Sequence, residues 1–381
     1  MELLNATNMT AGYTMGLRPD GRELLVVVVK GTFTIPKENK QPELAEQQAD
    51  LVMADEFTGE PGFSAPKYES DFAPHKRRCD VLLNGSAYAP VGRPVTHIDV
   101  GLRVGAMAKF FSVVGNRVWK KDWFSIHDTE PTPFTVMPIS YDHAFGGVDQ
   151  SSPDEREHRT FLENHAGKGF HFSLAKEVID GKPLPNTEEI GRRVTNPRGN
   201  YRPMALGPLG RAWQPRPKFA GTYDQKWQED IFPFLPSDFD ERYYQAAPED
   251  QQIDYLRGGE EVVLVNLTTQ GRATFKLPTI SVPVTFYLKN GVEKEMAANN
   301  DTIIIEPDLG RFMLVWRASL PLRKNMFEVE EVVIGRMSRS WHLARESGKS
   351  WFPSLQALLQ ANAEQETEEL EEVDEFLSEQ E

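Results

Sequence analysis

Residues 195–252 place eight prolines, four glycines and ten aromatics in 58 positions, with no run of clear strand or helix period. Proline fixes φ and removes a backbone donor, so this stretch cannot be one continuous helix or central strand. The aromatics argue equally against a solvated linker, which offers nothing to pack them against. An ordered irregular segment of this length is uncommon in a compact domain and is usually functional when present. The chain is therefore expected to build an irregular, aromatic-rich surface here, with a chemistry suited to recognition.

Strand character dominates on both sides. Residues 23–35, ELLVVVVKGTFTI, are rich in Val, Leu, Ile, Thr and Phe and read as a buried strand. Residues 80–88 read as another. Residues 96–119 read as three consecutive strands of an antiparallel meander, split at Gly105-Ala106 and Gly115-Asn116. Further strands are expected at 260–268, 272–278, 283–291, 301–308, 310–320 and 327–335, with turns at Asn290-Gly291 and Leu309-Gly310. Between residues 131 and 236 lie 13 of the 27 prolines, which makes regular structure hard to sustain there. An amphipathic helix interrupted by Pro248 is expected over 238–256, and Ser354 is placed to cap a short helix carrying Leu355, Leu358 and Leu359.

The expectation is a mainly β protein. Two antiparallel sandwich- or barrel-like units, residues 1–135 and 258–336, are joined by an irregular Pro/aromatic-rich connector, 136–257, with a short helix. A helical, acidic tail, 337–381, follows.

Charge narrows the partners. The formal charge is −15, and residues 362–381 hold nine Glu, one Asp and no Lys or Arg, so −10 of it sits in the tail and −5 in the rest. Nucleic acid is a poor partner for such a surface, since phosphate binding needs a basic face. No apolar run approaches the roughly 20 residues of a membrane helix, so no membrane insertion is expected. The opening MELLNATNMT lacks a basic patch and a long apolar core, so no secretory signal is expected, and the single Cys79 fits a reducing cytoplasm. In the tail, Leu370, Val373 and Leu377 fall at i, i+3 and i+7 with Phe376 beside them. The segment is either a solvated acidic tail or a docking element for a basic partner groove.

The usual signatures of catalysis are missing. His158, His165 and His171 are spaced seven and six apart, which places no metal-ligand set on one face. No G-x-S-x-G elbow, H-E-x-x-H or phosphate-cradling glycine loop occurs. Cys79 beside Arg77 and Arg78 has no assignable histidine partner, so it reads as an unreactive residue at a strand start. With 57 acidic residues, candidate carboxylate pairs are guaranteed and carry no weight. No catalytic residue, cofactor or metal is expected. Glu69, Asp71, Lys76 and Asp80 gather before a strand and read as an ion network pinning a loop to the sheet; Trp316 and Arg317 read as a buried indole beside a paired guanidinium.

Several segments together resemble one family of bacterial proteins with an uncharacterised domain, encoded beside type VI secretion spike and effector genes. They are LLVVVVKGTFTI (24–35), ADEFTGEP (54–61), YESDFAPHKRRCDVLLNGSAYAPVGRPV (68–95), VVGNRVW (113–119), PISYDHAFGG (138–147), residues 207–251 from GPLGRAW to APEDQ, and DTIIIEPDLGRFMLVWRASLPL (301–322). They occur in the family's order over about 24–335; Arg77 stands where the pattern has proline, and the acidic tail lies outside it. The resemblance implies an adaptor or chaperone that binds a toxin effector, such as one linked to a PAAR spike-tip domain, and aids its loading on the spike protein. A structural component of the spike assembly and a carbohydrate-active or lectin-like β protein are the alternatives. The resemblance transfers no catalytic residues. Trp213, Tyr223 and Trp227 with Arg211 and Arg216 are the partner-binding candidates, being residue types enriched in binding hot spots. The competing expectation is that these aromatics fill the seam between the two β units.

Overall fold

The run ELLVVVVKGTFT forms the strand Glu23–Thr34, in which every residue from Leu24 to Phe33 is buried. The computed structural model describes residues 1–37, 40–352 and 354–359. Successive side chains of a strand point to opposite faces. Leu25, Val27 and Val29 accordingly enter the main core, while Leu24, Val26 and Val28 pack with Val315, Leu51 and Phe72 on the other side. Thr10–Leu17 and Arg311–Pro321 pair antiparallel along its two edges. Arg311–Pro321 pairs in turn with Asn299–Glu306, which runs parallel to Cys79–Leu83, and Gln252–Ile253 ends the six-stranded sheet.

A five-stranded antiparallel sheet orders Thr187–Glu188, Met107–Val114, His97–Val104, Glu261–Val265 and Arg272–Lys276. A four-stranded sheet orders Glu2–Asn5, Val329–Ile334, Pro283–Leu288 and Glu293–Ala297. One apolar core joins all three sheets, with Val27 and Leu314 from the first, Leu102, Phe111 and Leu264 from the second, and Phe286 and Val332 from the third. Phe312 stacks between Phe33 and Phe275, with ring centroids 5.3 and 5.2 Å away.

The outer face of the six-stranded sheet is covered by residues 48–76, and charged groups hold that loop down. Lys30 bonds the Asp71 carboxylate at 2.8 Å and the Asp50 carbonyl at 3.2 Å. Arg317 pairs with Asp301 at 2.7 Å and donates to the carbonyls of Asp71 and Ala73. Lys76 reaches Asp80 at 2.7 Å and the Thr302 hydroxyl at 3.1 Å. Asp80 also accepts from Gln245 and from the backbone N–H groups of Ala246 and Ala247. All of these charged side chains are buried. Burial alone would push the Lys76 ammonium down, but Asp80 and Asp301 outweigh it and hold it above the ordinary lysine value. The loop lies so close that a Cβ on Gly16 would sit 2.8 Å from Pro74 and one on Gly12 2.7 Å from Leu51.

The mainly β expectation holds, and no sheet among the described residues closes into a barrel. Strands from 1–135 and from 258–336 alternate within shared sheets, so the sheets run across the compositional boundaries at 135/136 and 257/258. The expected turns form, with Gly291 at φ +79° and Gly310 at φ +63°. The ion network and the Trp316–Arg317 reading are also met. Two details differ. The meander of 96–119 stops after two strands, and Trp119–Lys121 turns away to pair with Ile126–Asp128. Gly115 marks the departure, since a Cβ there would meet the Thr132 carbonyl at 1.8 Å. Residues 238–256 form 3₁₀ turns at Glu241–Tyr244 and Glu249–Gln251 instead of an interrupted α-helix. Asp80 takes the N–H groups of Ala246 and Ala247 that a helix would need, and Pro248 has none to give. Ser354 does accept the Ala357 N–H at 3.1 Å, as a cap should.

Truncating one member of a buried, hydrogen-bonded ion cluster leaves its partner charge uncompensated, at a cost of about 3–5 kcal/mol. Asp80→Ala is expected to lose stability on that scale in urea denaturation at pH 7; a loss below about 1 kcal/mol would show that the cluster does not hold the loop.

Candidate functional site

Connector residues return across the loop 48–76 and bring their arginines to its carboxylates. Arg211 grips Asp55 with two hydrogen bonds, 2.7 and 3.1 Å, and lies 2.9 Å from Glu69. Arg216, buried, reaches the same Glu69 oxygen at 2.5 Å and bonds the carbonyls of Leu209 and Tyr243 at 2.8 Å each. Trp213 is buried among Ala65, Tyr141, Ala205 and Leu209, edge-on to Tyr141 at 5.5 Å. Asp55, Glu69, Arg211, Trp213 and Arg216 line a pocket of about 300 Å³ together with His165. Burial works to raise the Asp55 carboxyl, but Arg211 and the Ser70 N–H outweigh it and hold it below the usual carboxylate range. Burial pushes the His165 imidazole below its ordinary value, so it is neutral at pH 7. Arg211, Trp213 and Arg216 therefore spend their contacts inside the protein, tying connector to loop.

Tyr223 and Trp227 are placed differently. Asp224 caps the short helix Gln225–Asp230 through the Trp227 N–H at 2.8 Å. The Trp227 indole N–H donates to the Phe234 carbonyl at 2.9 Å, and its ring meets Tyr223 edge-on at 4.7 Å and Phe232 at 5.7 Å. Tyr223, Phe232 and Phe234 are exposed, which makes this an aromatic ledge open to solvent. The five connector candidates thus divide into an internal group of three and a surface pair. Leu370, Val373, Phe376 and Leu377 lie outside the described residues.

Among the described residues, the most exposed aromatics lie outside the partner-binding candidates. Trp123 and Phe124 are 96 % and 102 % exposed at the tip between Trp119–Lys121 and Ile126–Asp128. The base of this hairpin is anchored in the interior. Trp119 is fully buried with Phe145, Phe161 and Ile179, and its indole N–H bonds the Gly169 carbonyl at 3.0 Å. A sequence signal did exist in the run KKDWFS, where two adjacent aromatics sit among charged and polar residues. Alternation would bury one of them in a strand; at a hairpin tip neither needs to be buried.

A larger cleft of about 670 Å³ holds Asp142, His143, Glu306 and Asp308. Its carboxylates are engaged. Asp142 accepts from Thr58, Ser140 and the Ala65 N–H, Asp308 from Ser86 and Tyr88, and Glu306 from Tyr68 and Arg311. Burial lowers the His143 imidazole despite its contact with Asn186 at 3.0 Å. These bonds brace neighbouring loops. Cys79 is fully buried, and burial pushes its thiol well above the ordinary value, as an unreactive reading requires. Among the described residues, no group of three His, Cys, Asp or Glu gathers as a metal would require. No helix among them is long and apolar enough to cross a membrane.

Over residues 20–317 the sequence matches the family described as an uncharacterized protein conserved in bacteria (DUF2169). No curated protein and no solved structure matches the chain.

The division between internal and surface aromatics is measurable. Trp213→Ala is expected to cost about 3–5 kcal/mol of unfolding free energy, the range for a buried Trp. Tyr223→Ala should cost under about 1 kcal/mol. Equal losses from the two variants, by chemical denaturation, would contradict the placement.

Proposed function

This chain belongs to the DUF2169 family of proteins conserved in bacteria, and we propose that it is a protein-binding adaptor or chaperone of type VI secretion. In this reading it acts in the cytoplasm, engages a toxin effector such as one linked to a PAAR domain, and aids its mounting on the spike protein. The assignment to that secretion system rests on the resemblance of the ordered segments from residue 24 to 335.

One observation supports a binding role over a chemical one: Trp123 and Phe124 stand free on a hairpin whose base is buried. Isolated exposed apolar residues need no explanation, but two adjacent aromatics on a fixed protrusion match the anchors of protein interfaces. A preformed anchor loses little freedom on binding, so more of its burial energy appears as affinity. The ledge of Tyr223, Phe232 and Phe234 offers a second contact area of the same kind. The polar clusters, by contrast, are bonded within the protein.

The test is binding to the effector encoded beside this protein's gene, measured by calorimetry on the co-purified pair. The double variant Trp123→Ala/Phe124→Ala should weaken binding by about 30-fold or more, a hot-spot loss of at least about 2 kcal/mol. Its melting temperature should stay at the wild-type value. Unchanged affinity sinks the proposal for the tip.

A further inference from the structure

Two adjoining depressions, of about 330 and 480 Å³, share Lys294, Pro321 and Arg323 and form one groove along the four-stranded sheet. The first adds Lys289, Lys324 and Glu328, and the second adds Arg22. Five cations thus line the groove against one carboxylate, in a chain of net charge −15. Among the described residues, Lys289, Lys294, Arg323 and Lys324 have no ion-pair partner, and Arg22 only approaches Asp20 at 3.9 Å. Glu328 is already taken by the Arg323 backbone N–H at 2.6 Å. Leu288 and Val292 supply apolar surface between the charges.

The strand alternation keeps this patch basic. Lys294 sits directly across from Phe286, while Glu293 and Glu295 sit across from Tyr287 and Thr285. Lys294 therefore shares a face with Phe286 and Leu288, and the two glutamates point to the other face. That second face carries the helix Arg339–Glu346, whose Trp341 packs on Tyr287 and whose Arg345 pairs with Glu331. The chain thus continues toward its end from the acidic side of the same sheet, around the edge strand Glu293–Ala297 from the groove.

We propose that the groove binds this chain's own residues 362–381. That segment carries nine Glu and one Asp with no Lys or Arg, interspersed with Leu370, Val373, Phe376 and Leu377. Its charge complements the groove, and its apolar residues match Leu288 and Val292. The eleven residues from Leu359 to Leu370 can span up to about 36–40 Å when extended. The occupant lies in the same chain, so its effective concentration is high and the contact forms without a partner. An acidic partner seeking the groove must displace the tail. This inference does not depend on the secretion reading.

Zero-length carbodiimide cross-linking of the full chain, at low salt and high dilution, tests it by mass spectrometry. Lys289, Lys294 and Lys324 should link to carboxylates within 362–381 in monomer-mass product, well above the exposed controls Lys67 and Lys226. The double variant Arg22→Glu/Arg323→Glu keeps every reporter lysine, and it should cut these links by about threefold or more, as should 0.5 M NaCl through screening. Links spread evenly over surface lysines, links confined to dimer-mass product, or an unchanged yield in the double variant would each overturn the proposal.

Discussion

The buried charges that clamp residues 48–76 to the six-stranded sheet are the constraint on which the rest depends. A charge taken out of water is tolerated only when paired and hydrogen-bonded. Here some of the partners are local, and others come from distant parts of the sequence. Lys30 meets Asp71, Arg317 meets Asp301 and two carbonyls of the loop, and Lys76 meets Asp80 and Thr302. The bonds of Arg317 to the loop carbonyls and of Lys76 to Thr302 form only once strands from both ends of the chain lie side by side. The clamp and the interleaved sheet are therefore one arrangement, and the loop it fixes is the surface to which Arg211 and Arg216 attach the connector.

From that follows the division of labour on the surface. Asp55, Glu69, Asp142, Glu306 and Asp308 look like catalytic material by residue type, yet each is bonded to a neighbour it holds in place. What the fold leaves uncommitted is of another kind: the aromatic tip of Trp123 and Phe124, the ledge around Tyr223, and the basic groove around Lys294. Exposed aromatics and a basic groove are the features on which the proposed binding role rests.

Much of the local structure was legible in the sequence. The β-branched run of 23–35, the glycine turns at 291 and 310, and the charges of 68–80 each carry their explanation within a few residues. What was not legible depends on partners far away in the chain. No local pattern says that Glu23–Thr34 pairs with Arg311–Pro321, since both are largely apolar runs that fit many neighbours. Residues 238–256 have helical character by composition, but Asp80, more than 160 residues earlier, captures two of their N–H groups. Composition likewise could not separate Trp213 from Tyr223, because both sit among prolines and charges and only tertiary packing buries one of them. The exposure of Trp123 and Phe124 follows from a tip between two short strands whose pairing is set by the buried Trp119.

The central claim is that the two strand-rich ends and the clamped loop form one cooperative body. Native-state hydrogen exchange across a urea series tests it directly, through the opening free energies of buried amides. Val27 and Val81, from one end of the chain, should open at the same free energy as Ile303 and Leu314, from the other. Protection that persists at Val27 and Val81 while Ile303 and Leu314 exchange through a separate, lower-energy opening would contradict the account.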